Sequence, residues 1–357
     1  MKIVHITYVL SHGGIGTMLG QIANRQSLEH DVEIVVVSDI VAKEKLDVLN
    51  PKIKVHLLNR PTGSLSIGIF LKLNRILSQS NADIYHFHSA RIRRYLYPWL
   101  WRKIKSKSCV TLHHVISGVD DLKESRMADF VHICAISENV QMGLKKYGNI
   151  DSHLVMNGIE VEKFSTKSTY RKNGVCKIVQ IGRLDVNCKG QDILIKALAQ
   201  IKENGVENWH ATFLGGVGSA LDYLQNLAQS LGVLDNISFI EPKSHEFLEK
   251  HLCDFDLFVH PARYEGFGLV VAEAMAAKVP VIISSLPAPM KIIENGECGE
   301  FFSSENVDEL ADKIKLYITG EVCLAKIERA YQRVSESYSI NDTVKKYNEV
   351  YKTILKK

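Results

Sequence analysis

The sequence predicts an α/β protein built from two doubly wound parallel sheets, with helices at the C-terminal end. Three observations carry this. Short β-branched runs alternate with longer runs of helical period. The short runs are almost continuously apolar, as strands covered on both faces must be. The whole pattern then restarts near the middle of the 357 residues, a length that accommodates two domains.

The elements follow in order. "KIVHITYV" (2–9) reads as a strand, "GTMLGQIANRQSL" (16–28) as a helix and "DVEIVVVS" (31–38) as a strand. "IKVHLL" (53–58), "ADIYHFH" (82–88), "SCVTLHH" (108–114) and "FVHICAIS" (130–137) continue the series, separated by helical patterns. The second series opens at "CKIVQIGRL" (176–184). Strands follow at 209–216, 237–242, 256–261 and 279–285, with helices at 189–203, 219–231, 245–253 and 269–277. The polar stretch "EKFSTKSTYRKNG" (162–174) reads as the linker. Residues 1–164 are therefore expected to form one domain and 165–339 the other. The helical tail ends in a helix at about 340–357, expected to pack back on the first domain. In such sheets ligands sit beyond the carboxyl ends of the strands, and two facing domains would form a cleft there.

Composition narrows the function. A net charge of +4 argues against a dedicated nucleic-acid binder. The seven cysteines (Cys109, Cys134, Cys176, Cys188, Cys253, Cys298 and Cys323) include no C-x-x-C pair, and read as buried free thiols in a reducing compartment. The N-terminus turns polar too early for a signal peptide. No apolar run approaches the roughly 20 residues of a spanning helix. The expected location is cytoplasmic.

Five stretches carry candidate chemistry. "SHGGIGTMLG" follows the first strand and opens a helix, where backbone amides can cradle a phosphate. It is not a full dinucleotide fingerprint, because after Gly14 and Gly16 that motif needs glycine at 19. Leu19 stands there and Gly20 comes one position late. "HFH" places His86 and His88 on one strand face, either as two polar residues at a strand end or as metal ligands lacking an evident third. "TLHH" ends the next strand in the same way, so His113 or His114 can face a ligand. In "GRLDVNCKGQD", Arg183 and Lys189 flank a turn and Gly190 opens a helix. Two cations there make an anion site or are simply solvated.

"YEGFGLVVAEA" (264–274) is the most informative stretch. Gly266 and Gly268 allow a tight turn into a helix. Glu265 falls in the loop before it. Glu273 falls inside the helix among apolar neighbours, where a charge needs a partner. The amides of residues 267–270 are expected to be free for an anion. Two hydroxyl-accepting carboxylates beside a phosphate-binding helix start suit a nucleotide sugar.

These residues resemble the retaining glycosyltransferases of the GT-B fold, two Rossmann-like domains facing a cleft. The resemblance is closest to glycosyltransferase family 4 (glycosyl transferases group 1). Glu265 and Glu273 fit that family's Glu, seven residues, Glu hallmark. Gly182, Arg183, Leu184, Lys189 and Gly190 fit its G-R-L…K-G motif, though Arg183 and Lys189 are six apart where many members have five. "AISENV" (135–140), "MNGIEVEKF" (156–164) and the segment 213–242 also resemble it, whereas "SSLPAP" (284–289) replaces a common Asp-x-Gly-Gly.

The resemblance implies an acceptor-binding first domain and a donor-binding second domain. Arg183 and Lys189 would bind the donor diphosphate. Glu265 would contact the sugar, and Glu273 would hold the ribose hydroxyls. Gly266, Phe267, Gly268, Leu269 and Val270 would meet phosphate or sugar through their backbone. His113 would lie near the sugar, and Gly14 and Gly16 would close on donor phosphate and acceptor. It implies transfer of a hexose-type sugar from a nucleotide sugar such as a UDP-sugar to a glycan or lipid-linked hydroxyl. The setting would be bacterial surface polysaccharide or glycolipid assembly. No metal or cofactor is required. "DFD" (254–256) resembles a metal-holding Asp-x-Asp of another transferase class, but it leads straight into an apolar strand and reads as strand entry.

Three other readings stand beside this one. The two glutamates could form a glycosidase pair, although a hydrolase has no need of Arg183 and Lys189. An epimerase of the same fold and a non-catalytic nucleotide-sugar sensor are the others. Finally, no acidic residue occurs from Ile84 to Val119. Basic residues between Arg91 and Lys107 there interleave with Tyr95, Tyr97, Trp99 and Trp101. This suits peripheral contact with the anionic inner face of a cell membrane, or a solvated helix whose aromatics pack inward.

Overall fold

The computed structural model describes residues 1–356 except His12, Leu65, 171–173, 216–219 and Glu321. The polar stretch 162–174 and the segment 213–242 thus each include residues outside the described set. The chain divides into two compact units, one of residues 1–158 together with 340 onward, the other of residues 159–339.

The first unit holds a seven-stranded sheet, ordered β3-β2-β1-β4-β5-β6-β7. Its strands are β1 (Lys2–Thr7), β2 (Asp31–Ser38), β3 (Lys54–Arg60), β4 (Ile84–Phe87), β5 (Ser108–Leu112), β6 (His132–Ala135) and β7 (His153–Leu154). All pair in parallel, and His5 on β1 lies in register with His86 on β4. Ile3, Ile6, Val35, Ile84, Phe87 and Val110 are fully buried, as expected for strands covered on both faces.

The second unit repeats the design with six parallel strands, ordered β10-β9-β8-β11-β12-β13. They are β8 (Cys176–Ile181), β9 (Trp209–Leu214), β10 (Ile237–Ile240), β11 (Leu257–His260), β12 (Val281–Ser284) and β13 (Glu300–Phe302). Trp209 is buried in this core, with its indole N–H donating to the Val206 carbonyl at 2.9 Å. The two-sheet expectation holds. The sequence reading lacked β7 and β13, which have only two and three residues. Among the described residues no two cysteines form a disulfide, but only Cys109, Cys134 and Cys298 are buried, which corrects the expectation of uniformly buried thiols.

Helix Ile340–Leu355 buries Ile340, Thr343, Val344, Tyr347, Val350, Tyr351 and Ile354. That three-to-four spacing is one stripe of a helix, and the stripe packs beside helix Gly14–Gln26. Tyr347 and Tyr351 are completely buried. Tyr347→Ala should therefore destabilise the first unit by about 3–5 kcal/mol. Leu324→Ala, at a half-exposed site of the second unit, should cost under about 0.5 kcal/mol. Thermal unfolding of the two variants checks the contrast.

Candidate active site

In the second unit, β8 and β11 are neighbours although three strands apart in sequence. That is the switch point of a doubly wound sheet, where ligands bind. After β8 the chain makes one helical turn, Val186–Lys189, N-capped by Asp185, whose Oδ1 accepts from the Cys188 amide at 3.2 Å. This turn takes up the six-residue spacing from Arg183. Gly190 ends it in the left-handed region at φ +63°, and a Cβ there would lie 2.0 Å from the Pro261 carbonyl oxygen. Only glycine lets the two loops touch.

Main-chain bonds then fix one loop on the other. The amides of Arg263 and Tyr264 donate to the Cys188 carbonyl at 3.0 and 3.1 Å. The Arg263 guanidinium forks onto Asp192, at 2.6 and 3.0 Å to its two oxygens. The result is a charged cluster on Glu265. Lys189 Nζ donates to Glu265 Oε2 at 2.8 Å, and His260 Nε2 lies 3.2 Å from the same oxygen. The Gly266 and Phe267 amides donate to Oε1 at 3.1 and 3.4 Å. Burial alone would raise the Glu265 pKa. The His260 hydrogen bond and the Lys189 charge overcome it and hold the carboxyl well below the usual carboxylate range. Burial pushes His260 down, leaving it neutral at pH 7. Its Nε2–H therefore faces Glu265, while Nδ1 is buried with no hydrogen-bond partner among the described residues. Such a group costs about 1–3 kcal/mol.

The other expected residues fall around this cluster. Arg183 is largely exposed and pairs with Asp185 at 3.0 Å, so it does not join Lys189 on Glu265. Helix Leu269–Ala276 begins after Gly268, and its first amides, like those of any helix, have no intrahelical acceptor. The expectation of free amides from 267 is corrected, because Phe267 already donates to Glu265. Glu273 is buried, and His245 Nδ1 lies 3.8 Å from its Oε1. Asp256 of the "DFD" stretch pairs with Lys167 at 2.8 Å and accepts from the Lys177 amide at 2.9 Å, a strand-entry role. Sequence reasoning missed His260, Arg263, Asp192 and His245. Only His260 left a signal, as a polar residue ending an apolar strand.

In the first unit, Gly14 and Gly16 open helix Gly14–Gln26. A Cβ on Gly16 would meet the Ser11 carbonyl oxygen at 2.3 Å, so close backbone packing already requires glycine there. His113 follows β5, with Nε2 3.3 Å from His88 Nδ1. His114 faces Asp121 at 3.5 Å. The expectation that His86 and His88 lack a third histidine is corrected. The β1–β4 register brings His5 beside them, and one nitrogen of each ring lies within 4.8 Å of the others.

The depressed Glu265 pKa fixes a sign. Stability from the ionised carboxylate is fully present above the unfolded value of about 4.3 and is lost as pH falls below it. Glu265→Gln should lower stability by about 1–3 kcal/mol at pH 7, and its deficit against wild type should shrink as pH drops from 5 to 3. Thermal unfolding across that range tests this, and a pH-independent deficit would contradict it.

Residues 12–163 match the family model "Glycosyltransferase Family 4", and residues 162–335 match "Glycosyl transferases group 1". The chain is 33% identical over 177 residues to the uncharacterized glycosyltransferase MJ1607 of Methanocaldococcus jannaschii, covering 49% of this chain and 44% of that protein. It is 30% identical over 186 residues to lipopolysaccharide glucosyltransferase WaaG of Escherichia coli, covering 49% and 48%. The matches thus span about half the length of these relatives. Among solved structures, Anabaena Alr3699/HepE in complex with UDP and glucose aligns over 99% of this chain and 100% of that one, with a TM-score of 0.82 and 19% identity. That likeness is one of fold, and it is the GT-B fold. Two family models that meet at residues 162–163 account for most of the chain, and the chain belongs to the glycosyltransferases they describe.

Proposed function

We propose that this glycosyltransferase retains anomeric configuration and moves a hexose from a UDP-sugar to a hydroxyl of a glycan or lipid-linked acceptor. The setting is assembly of a bacterial surface polysaccharide or glycolipid. The observation that carries the reading is the Lys189–Glu265–His260 cluster beside a helix start at the β8/β11 switch point. HepE was solved with UDP and glucose, and WaaG is a lipopolysaccharide glucosyltransferase. Both support the donor and setting proposed here.

In this reading the anomeric carbon–oxygen bond breaks toward the diphosphate, leaving negative charge there and positive charge on the sugar ring, while the acceptor hydroxyl oxygen bonds to the anomeric carbon on the same face and its proton passes to the leaving phosphate. Lys189, Arg183 and the amides at Gly268 to Val270 stabilise the diphosphate. Lys189 already reaches into the site from its pairing with Glu265. Arg183 is exposed and free to swing from Asp185. Glu265, ionised and held at each oxygen by two donors, takes a sugar hydroxyl as a further donor. Glu273 takes the ribose hydroxyls, and His113 and the Gly14–Gly16 turn serve sugar and acceptor. With two cations on the leaving group, the reading needs no divalent metal.

Release of UDP from a panel of UDP-sugars with candidate acceptors tests this. Lys189→Ala and Arg183→Ala should each lose about 10²–10³ in kcat, and EDTA should leave the wild-type rate unchanged. Near-wild-type turnover of both variants removes them from the mechanism. Epimer formation without acceptor replaces transfer with isomerisation.

We further propose that residues 91–107 dock on an anionic membrane. The stretch divides its aromatics. Trp101 is buried under the Arg93 guanidinium at 4.9 Å, and Tyr95 stacks on Phe70 at 4.2 Å. Tyr97 and Trp99 are 38% and 56% exposed, among exposed Arg91, Arg94, Arg102, Lys103 and Lys107. Exposed aromatics among cations suit the headgroup layer. No helix among the described residues is long and apolar enough to cross a membrane. Flotation with anionic liposomes should be salt-sensitive and weaken in Trp99→Ala. Absence of co-flotation at low salt counts against docking.

A further inference from the structure

Three histidines of the first unit, His113, His88 and His5, form one directed chain. His113 Nε2 lies 3.3 Å from His88 Nδ1, His88 Nε2 lies 3.1 Å from His5 Nδ1, and His5 Nε2 lies 2.8 Å from Gln26 Oε1. Burial pushes His5 and His113 down to about 4, and His86 and His88 well below their ordinary value. All four rings are therefore neutral at pH 7, with one N–H each.

Direction follows from the far end. An amide oxygen only accepts, so His5 carries its hydrogen on Nε2 and accepts at Nδ1. The hydrogen in the next contact then belongs to His88 Nε2, and His88 Nδ1 accepts. The hydrogen in the last contact belongs to His113 Nε2. The Gln26 amide is oriented by its nitrogen, which faces Asn348 Oδ1 and the Tyr351 hydroxyl at 3.5 Å each. The Tyr351 hydroxyl lies 2.7 Å from His86 Nδ1, and His86 Nε2 lies 2.7 Å from Thr111 Oγ1. Both His86 nitrogens are thus occupied by hydroxyls, and a metal shared by His5, His86 and His88 would have to break one of these bonds. His113 Nδ1 has no hydrogen-bond partner among the described residues, and the residue is half-buried.

We infer that Gln26 is a positioning residue for His113. Through the two intervening imidazoles it fixes His113 as the Nε2–H tautomer, so that the ring offers Nδ1 only as a hydrogen-bond acceptor for a substrate hydroxyl. The tautomer stands on the hydrogen-bond geometry of buried neutral rings, while its use on a hydroxyl rests on the glycosyl-transfer reading. The same neutral ring in the opposite tautomer would present a donor and would prefer a carbonyl or phosphate oxygen. Selection among ligands by this ring is therefore set by a glutamine three side chains away.

Two-bond imidazole proton–nitrogen NMR on the full chain carrying ¹⁵N-histidine tests the chain, with His113→Gln identifying that ring's signals. The expected result at pH 7 is a hydrogen on Nε2 and a bare Nδ1 for His5, His88 and His113. In Gln26→Met, His113 should average between tautomers, and kcat/KM for the donor should fall about tenfold, the worth of one neutral hydrogen bond. Gln26→Glu, which keeps an acceptor oxygen, should restore both. A hydrogen on His113 Nδ1, an imidazolium at pH 7, a stoichiometric response to Zn²⁺, or an unchanged pattern in Gln26→Met would overturn the proposal. An altered tautomer with unchanged kcat/KM would overturn its functional half. Should no sugar be transferred at all, the glycosyl-transfer reading fails, and the wild-type spectrum still decides the tautomer.

Discussion

A parallel sheet covered on both faces leaves polar side chains almost nowhere to go except beyond the ends of its strands, and both units are organised by that constraint. His88 and His113 come just after β4 and β5, and His260 is the last residue of β11. His5 and His86 enter the strands themselves and are fully buried. They are tolerated because both nitrogens of each ring have partners, which offsets desolvation. Arg183, Lys189, Glu265 and His113 lie in loops or turns leading from a strand's carboxyl end, whereas Glu273 and Gln26 lie in the helices that follow.

Within the second unit the same geometry brings together residues 76 positions apart. Lys189 and Glu265 meet because β8 and β11 are adjacent, and they meet at 2.8 Å because the loops carrying them are bonded through the main chain. The fold itself orients the two charges, which in the proposed reaction leaves little reorganisation when charge develops. His260 adds a second donor to the same carboxylate oxygen. It keeps Glu265 ionised in a site where burial alone would favour the protonated acid.

Much of this was legible in the sequence. Long apolar runs with a restart give two parallel sheets, because buried strands must be apolar along their length. β7 and β13 left no such trace, being too short to show a pattern. Glu265, Lys189 and Gly190 were readable because glycines and charges at a strand-to-helix turn have few other uses. His260 and Arg263 were not, since their roles depend on which loop lies opposite. The H-x-H pair followed from the two-residue period of a strand. Its connection to His5 required the register between β1 and β4, and its connection to Gln26 required the packing of a helix on that sheet. Free amides were expected one residue too early, because nothing local indicates that Glu265 turns back onto the amides that follow it.

The helix at 340–355 supplies Tyr347 and Tyr351 to the first unit, although residues 159–339 separate it from the rest of that unit. A ribosome delivers those tyrosines only after the entire second unit has been made. Domains generally fold as units during synthesis, so the first unit must wait, with the groove for this helix uncovered and His86 lacking the Tyr351 hydroxyl. The histidine chain is thus among the last parts of the molecule to be completed, and translation truncated in the second unit would leave the first one open.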